Sequence, residues 1–80
     1  MKIYNYENFR RFFEENADYI RGKVVMDVGA GTGILSLFVA SVGARKVYAV
    51  EASDTATLCR EIVKQNGYGN VIEVVHSKVE

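Results

Sequence analysis

The sequence predicts an open parallel α/β sheet, three strands wide, with helices between the strands and one more helix ahead of the first. Three observations carry this expectation. Short β-branched runs alternate with longer apolar or amphipathic stretches, the pattern of right-handed βαβ crossovers. The breaks between them are made by glycine, and there is no proline in the 80 residues. Hydrophobic residues make up 49% and charged residues 25%, enough apolar material for a packed core and too much for a disordered chain.

Each element has its own reason. Phe9, Phe12 and Phe13 stand at i, i+3 and i+4 among charged residues over positions 6–19. That spacing predicts an amphipathic helix with the three rings in the core, Asn5 as N-cap and Glu7 in the first turn. Gly22 ends it. Val24-Val25-Met26-Asp27-Val28 reads as a short parallel strand buried on both faces. The turn Gly29-Ala30-Gly31-Thr32-Gly33 feeds residues 34–42, apolar nearly all round, which predict an inward helix closed by Gly43. Lys46-Val47-Tyr48-Ala49-Val50 is a second strand, ending at Glu51. Ser53 or Asp54 can cap a helix over about 55–66, with Leu58, Cys59, Ile62 and Val63 inward. Residues 71–75 form a third strand.

Three strands do not complete such a sheet. One edge strand is left unpaired and at least one face poorly covered. The chain therefore reads as the leading part of a larger domain, with residues 1–21 an N-terminal helical segment and 22–80 the first half of a ligand-binding domain.

Charge and cysteine content exclude several functions. Ten Lys and Arg balance ten Asp and Glu, so there is no basic field for direct nucleic-acid binding and no polybasic membrane arm. No apolar run approaches the ~18–20 residues of a membrane span, and the N-terminus lacks a signal-peptide core. The single cysteine, Cys59, excludes an intramolecular disulfide and a cysteine metal cage, and reads as an inert helix-face thiol. His76, at the end of the third strand on the pocket side, reads as structural. Arg45-Lys46 reads as a solvated strand start and Tyr48 as a packing residue.

The informative unit runs from Val24 to Glu51. A strand feeds a glycine-rich turn, and the turn feeds a helix whose N-terminal N–H groups carry partial positive charge. Glu51 ends the next strand, 18 residues after Gly33, where an acid can accept hydrogen bonds from a ribose diol. The glycines give G-x-G-x-G, and Ile34 stands where the dinucleotide fingerprint has its third glycine. Asp27 lies two residues before the first glycine, where it would repel a pyrophosphate but suit an ammonium group. S-Adenosyl-L-methionine has a ribose, an amine and a sulfonium, and no phosphate. A nicotinamide oxidoreductase is disfavoured by the same two residues. The plainer reading of Asp27 is a side chain that caps the turn through its backbone amides.

Val25-Met26-Asp27-Val28-Gly29-Ala30-Gly31-Thr32-Gly33-Ile34-Leu35-Ser36 resembles motif I of the protein arginine methyltransferases. Gly43-Ala44-Arg45-Lys46-Val47-Tyr48-Ala49-Val50-Glu51-Ala52-Ser53 resembles the stretch that follows it there, and Gln65-Asn66-Gly67 and Lys78-Val79-Glu80 continue the match over residues 22–80. The resemblance implies a partial Rossmann-like class I methyltransferase fold. It implies S-adenosyl-L-methionine as cofactor and methyl transfer to the arginine guanidinium of protein substrates such as histones or RNA-binding proteins. It implies a homodimer of the full-length protein, in the cytoplasm or nucleus. Asp27, Gly29, Ala30, Gly31, Thr32 and Gly33 would line the methionine end of the cofactor, with Ile34, Leu35 and Ala52 beside them. Glu51 would hold the ribose hydroxyls, and Val79 and Glu80 the adenine, Glu80 taking its exocyclic amine. The N-terminal helix could fold over the cofactor.

Two departures follow from the same comparison. The family's arginine that clamps the cofactor carboxylate falls near Asn5, and neither Arg10 nor Arg11 occupies that place. The paired-glutamate loop that holds the substrate guanidinium lies beyond Glu80 in the family, so the 80-residue chain is expected to be inactive alone. The alternative is a non-catalytic cofactor-binding fragment that partners an active enzyme.

Overall fold

A computed structural model describes residues 6–77, with the side chains of Tyr6 and Phe9 outside that description. Asn5, Lys78, Val79 and Glu80, and what the sequence predicts for them, also lie outside it. The elements run α1 (Tyr6–Glu15), α2 (Ala17–Ile20), β1 (Val24–Val28), α3 (Ile34–Ser41), β2 (Lys46–Glu51), α4 (Thr55–Gln65) and β3 (Ile72–His76). The strands form one parallel sheet in the order β1-β2-β3. This is a partial Rossmann-like arrangement, as the alternation of patterns predicts.

Both crossover helices pack on one face of the sheet. Val39 and Ala40 of α3, Cys59 and Val63 of α4, Val47 and Ala49 of β2 and Ile72 of β3 form a single buried cluster. Strand alternation sends the other side chains to the opposite face. There Val24, Met26 and Val28 are 53%, 65% and 59% exposed. The expectation of a strand buried on both faces therefore fails for β1: consecutive crossovers that step the same way leave both helices on one side. The uncovered face and edge follow from the same topology.

The first helix is shorter than its periodicity implies. It ends at Asn16, whose backbone N–H and side-chain amide both donate to the Phe12 carbonyl, at 3.1 and 2.8 Å. Phe13 packs against the buried cluster, but Phe12 is exposed, its ring 5.3 Å from that of Phe13 in an edge contact. In α4 the buried stripe is Ala56, Cys59 and Val63, at i, i+3 and i+7. Ile62 is half-buried and Leu58 is exposed, because a residue two positions after Ala56 lies on the far side of the helix.

Candidate functional site

The carboxyl ends of β1 and β2 converge on the glycine turn. Gly29 and Ala30 both donate their N–H groups to the Val50 carbonyl, at 2.8 and 3.0 Å, which folds the chain back across β2. Gly33 donates to the Ala30 carbonyl at 3.0 Å and closes the turn. Gly31, at the tip, donates to Glu51 Oε1 at 2.7 Å. The loop and the carboxylate that the sequence places 18 residues after it are thus joined directly.

Gly31 and Gly33 are glycines for different reasons. Gly31 has a φ of +59°, and a Cβ there would meet nothing within 4 Å. Its constraint is conformational, and the space above it is open to a ligand. Gly33 has a φ of +92°, and its Cβ would stand 2.7 Å from the buried Cys59 Sγ. It is the N-cap of α3, which begins with no capping side chain and no acidic residue in its first turn. That leaves the helix end free to meet an anion.

Glu51 is held from three sides. The Ser53 hydroxyl donates to Oε2 at 2.7 Å and the Ser53 N–H at 2.9 Å, while Gly31 occupies Oε1. These bonds, the Ser53 hydroxyl's foremost, lower the carboxyl from its ordinary 4.5 to about 2. Oε2 already accepts two donors, while Oε1 accepts one and has room for a further donor such as a ribose hydroxyl.

Asp27 lies half-buried on the helix side of β1. Its Oδ2 accepts the Ser36 hydroxyl at 2.7 Å. Ser36 is fully buried, the one polar side chain in the buried set among the described residues. Oδ1 has no hydrogen-bond partner among the described residues. The plainer reading, a carboxylate spent on capping turn amides, does not describe this bond: the acid is tied to α3 by a hydroxyl, and the turn amides go to Val50, Glu51 and Ala30.

The structure therefore brings together Asp27, Gly29, Ala30, Gly31, Thr32, Gly33, Ile34, Leu35, Glu51 and Ala52 at one end of the sheet. His76 pairs in register with Glu51 and is exposed. Two residues were missed as parts of this site. Ser36 stands out in the sequence only as a polar residue in an otherwise apolar helix. Ser53 reads there as a helix cap, a role it also fills by accepting the Thr55 N–H at 3.2 Å.

Residues 12–80 match the family model described as ribosomal protein L11 methyltransferase (PrmA). Protein arginine N-methyltransferase 1 of Oryza sativa subsp. indica is 51% identical over 74 residues, which are 92% of this chain and 19% of that protein. The chain belongs to the methyltransferase family of this model. Solved structures agree with that placement. The Trypanosoma brucei PRMT1 enzyme–prozyme heterotetrameric complex with AdoHcy superposes with a TM-score of 0.86 at 49% identity, covering 90% of this chain and 23% of that one. Arabidopsis thaliana protein arginine methyltransferase 10, in an open conformation, gives 0.85 at 41% identity, covering 89% and 20%. The chain spans about a fifth of the length of these relatives.

Proposed function

We propose that the full-length protein binds S-adenosyl-L-methionine at the carboxyl ends of β1 and β2 and methylates arginine side chains of protein substrates. The observation that carries the reading is the joined pair of Glu51 and the glycine turn, with Asp27 fixed beside it. The residues fit the group on their own chemistry. A carboxylate anchored by three hydrogen bonds, with acceptor capacity left on Oε1, suits a ribose hydroxyl. Asp27 Oδ1 suits an ammonium, and the uncapped start of α3 suits a carboxylate. Open space above Gly31 admits the ligand against the backbone. In this reading Ile34, Leu35 and Ala52 flank the methionine and ribose, and Val79 and Glu80 hold the adenine.

When bound, the cofactor supplies an electrophilic methyl on sulfur. The chain's own residues bind and orient. Glu51 stays ionised well below neutral pH because Ser53 and Gly31 hold it so, and its acceptors are already aligned before a ligand arrives. Ser36 fixes the rotamer of Asp27. A guanidinium is protonated in water and a poor nucleophile, so its orientation needs further carboxylates. We assign those to the part of the relatives' length that this chain does not span. An AdoHcy complex of the trypanosomal relative supports the cofactor class, and its heterotetramer supports an oligomeric full-length protein. Residence in the cytoplasm or nucleus belongs to the same proposal.

The test is transfer of a labelled methyl group from S-adenosyl-L-methionine to an arginine-rich peptide by the full-length protein. Turnover that disappears when arginine is replaced by lysine in the peptide supports the proposal. Cofactor binding without turnover would instead favour a non-catalytic partner of an active enzyme.

A further inference from the structure

The outer edge of β3 and the neighbouring face of α4 form a second feature, made by none of the residues of the glycine turn and not involving Glu51. Among the described residues β3 pairs with β2 alone. Val47 N–H donates to the Val71 carbonyl at 2.8 Å and Ser77 N–H to the Glu51 carbonyl at 3.0 Å. The odd-numbered residues of β3 therefore turn their backbone groups to β2, and the even-numbered ones turn theirs outward. Ile72 N–H is taken by the Tyr68 carbonyl at 2.8 Å. Among the described residues the Ile72 carbonyl and both backbone groups of Val74 face out unpaired, an edge able to accept another strand.

Beside this edge lies a groove of about 310 Å³. Val63, Ile72 and Val74 give it an apolar side, and Lys46, Arg60 and Lys64 bring three cations against one acid, Glu73. Lys46 is already matched, its Nζ 3.6 Å from Glu73 Oε1. Arg60 and Lys64, one turn apart on the exposed face of α4, form no ion pair among the described residues. In a chain with no net charge, two unmatched cations beside a free strand edge are a local excess.

We propose that this groove docks an extended peptide with acidic side chains at alternate positions, added as a fourth strand on the outer edge of β3. Main-chain bonds to Ile72 and Val74 supply register, and period-two alternation puts every second side chain on the α4 side. Carboxylates there meet Arg60 and Lys64, while their methylene stems lie along Val63 and Val74. The apolar wall excludes water and strengthens those pairs. A nucleic acid fits less well: no aromatic side chain lines the groove for bases to stack on.

The test uses the full-length protein and a fluorescein-labelled octapeptide of alternating glutamate and threonine, read by fluorescence anisotropy in low salt. Saturable binding is expected, weakened about tenfold or more by Arg60→Glu with Lys64→Glu, at unchanged circular dichroism. The same peptide with N-methylated backbone amides keeps its charge and loses its donors, and should bind as weakly. No saturable binding up to about 1 mM peptide overturns the proposal, as does N-methylated peptide binding equal to the parent. Oligothymidylate that binds through Arg60 and Lys64 where the peptide does not would assign the groove to nucleic acid and also overturn it.

Discussion

Replacing Gly33 by alanine should damage the turn through two separable costs. A φ of +92° in a residue with a Cβ costs about 1–2 kcal/mol. The new methyl would also stand 2.7 Å from Cys59 Sγ, well inside contact distance. Cys59 is fully buried, so its sulfur has one torsion by which to move and little room to use it. Overpacking of this kind costs about 1–3 kcal/mol. Together the two approach the scale of a small domain's whole stability, about 4–12 kcal/mol for 80 residues. Cys59→Ala removes the sulfur and leaves a small void, about 1 kcal/mol on its own. In the double variant the clash is gone and only the backbone strain remains. The assay is equilibrium urea unfolding of the full-length protein and its three variants. The double variant should be less destabilised than the sum of the singles by about 1–3 kcal/mol. Additivity within about 0.5 kcal/mol would refute the steric reading of Gly33.

Three further expectations rest on the same site. Ser36→Ala strips a buried donor from Asp27 and should cost about 1.5–3 kcal/mol in urea unfolding, with cofactor affinity down about tenfold by calorimetry; unchanged values for both would detach Ser36 from the site. Glu51 titrates lower folded than unfolded, so its ionised form contributes stability that is complete above about pH 4.5 and is lost as the pH falls toward 2. Glu51→Gln should therefore flatten the acid limb of the stability profile between those values, and unfolding midpoints across that range check it. Burial above all, then the charges of Asp27 and Glu51, raise the Cys59 thiol, so iodoacetamide should label it only as fast as the protein unfolds.

The fold was legible because its signals are local. β-Branched runs, glycine breaks and helical spacing place every strand within a residue of its position, and the glycine turn and Glu51 stand where their spacing puts them. The misses share one cause. Phe12, Leu58, Val24, Met26 and Val28 are apolar and were expected inside, yet burial depends on what packs across from a side chain, which a single element's pattern does not contain. The direct bond from Gly31 to Glu51 was likewise invisible, because it spans 20 residues of sequence. Ser36 and Ser53 were hidden because serine in a helix or before one has an ordinary local explanation, and only the positions of Asp27 and Glu51 in space give these two their second role.

The most direct measurement of the central claim is calorimetric titration of S-adenosyl-L-methionine into the full-length protein, its Glu51→Gln variant and its Asp27→Asn variant. The account predicts one site per chain, with affinity weakened about tenfold or more by each substitution, since each removes a charge-assisted contact while keeping shape. The affinity of the wild type should also hold steady between about pH 5 and 8 so far as Glu51 is concerned, because that carboxylate is ionised throughout. Equal affinity in all three proteins, or no binding to the wild type, would contradict it.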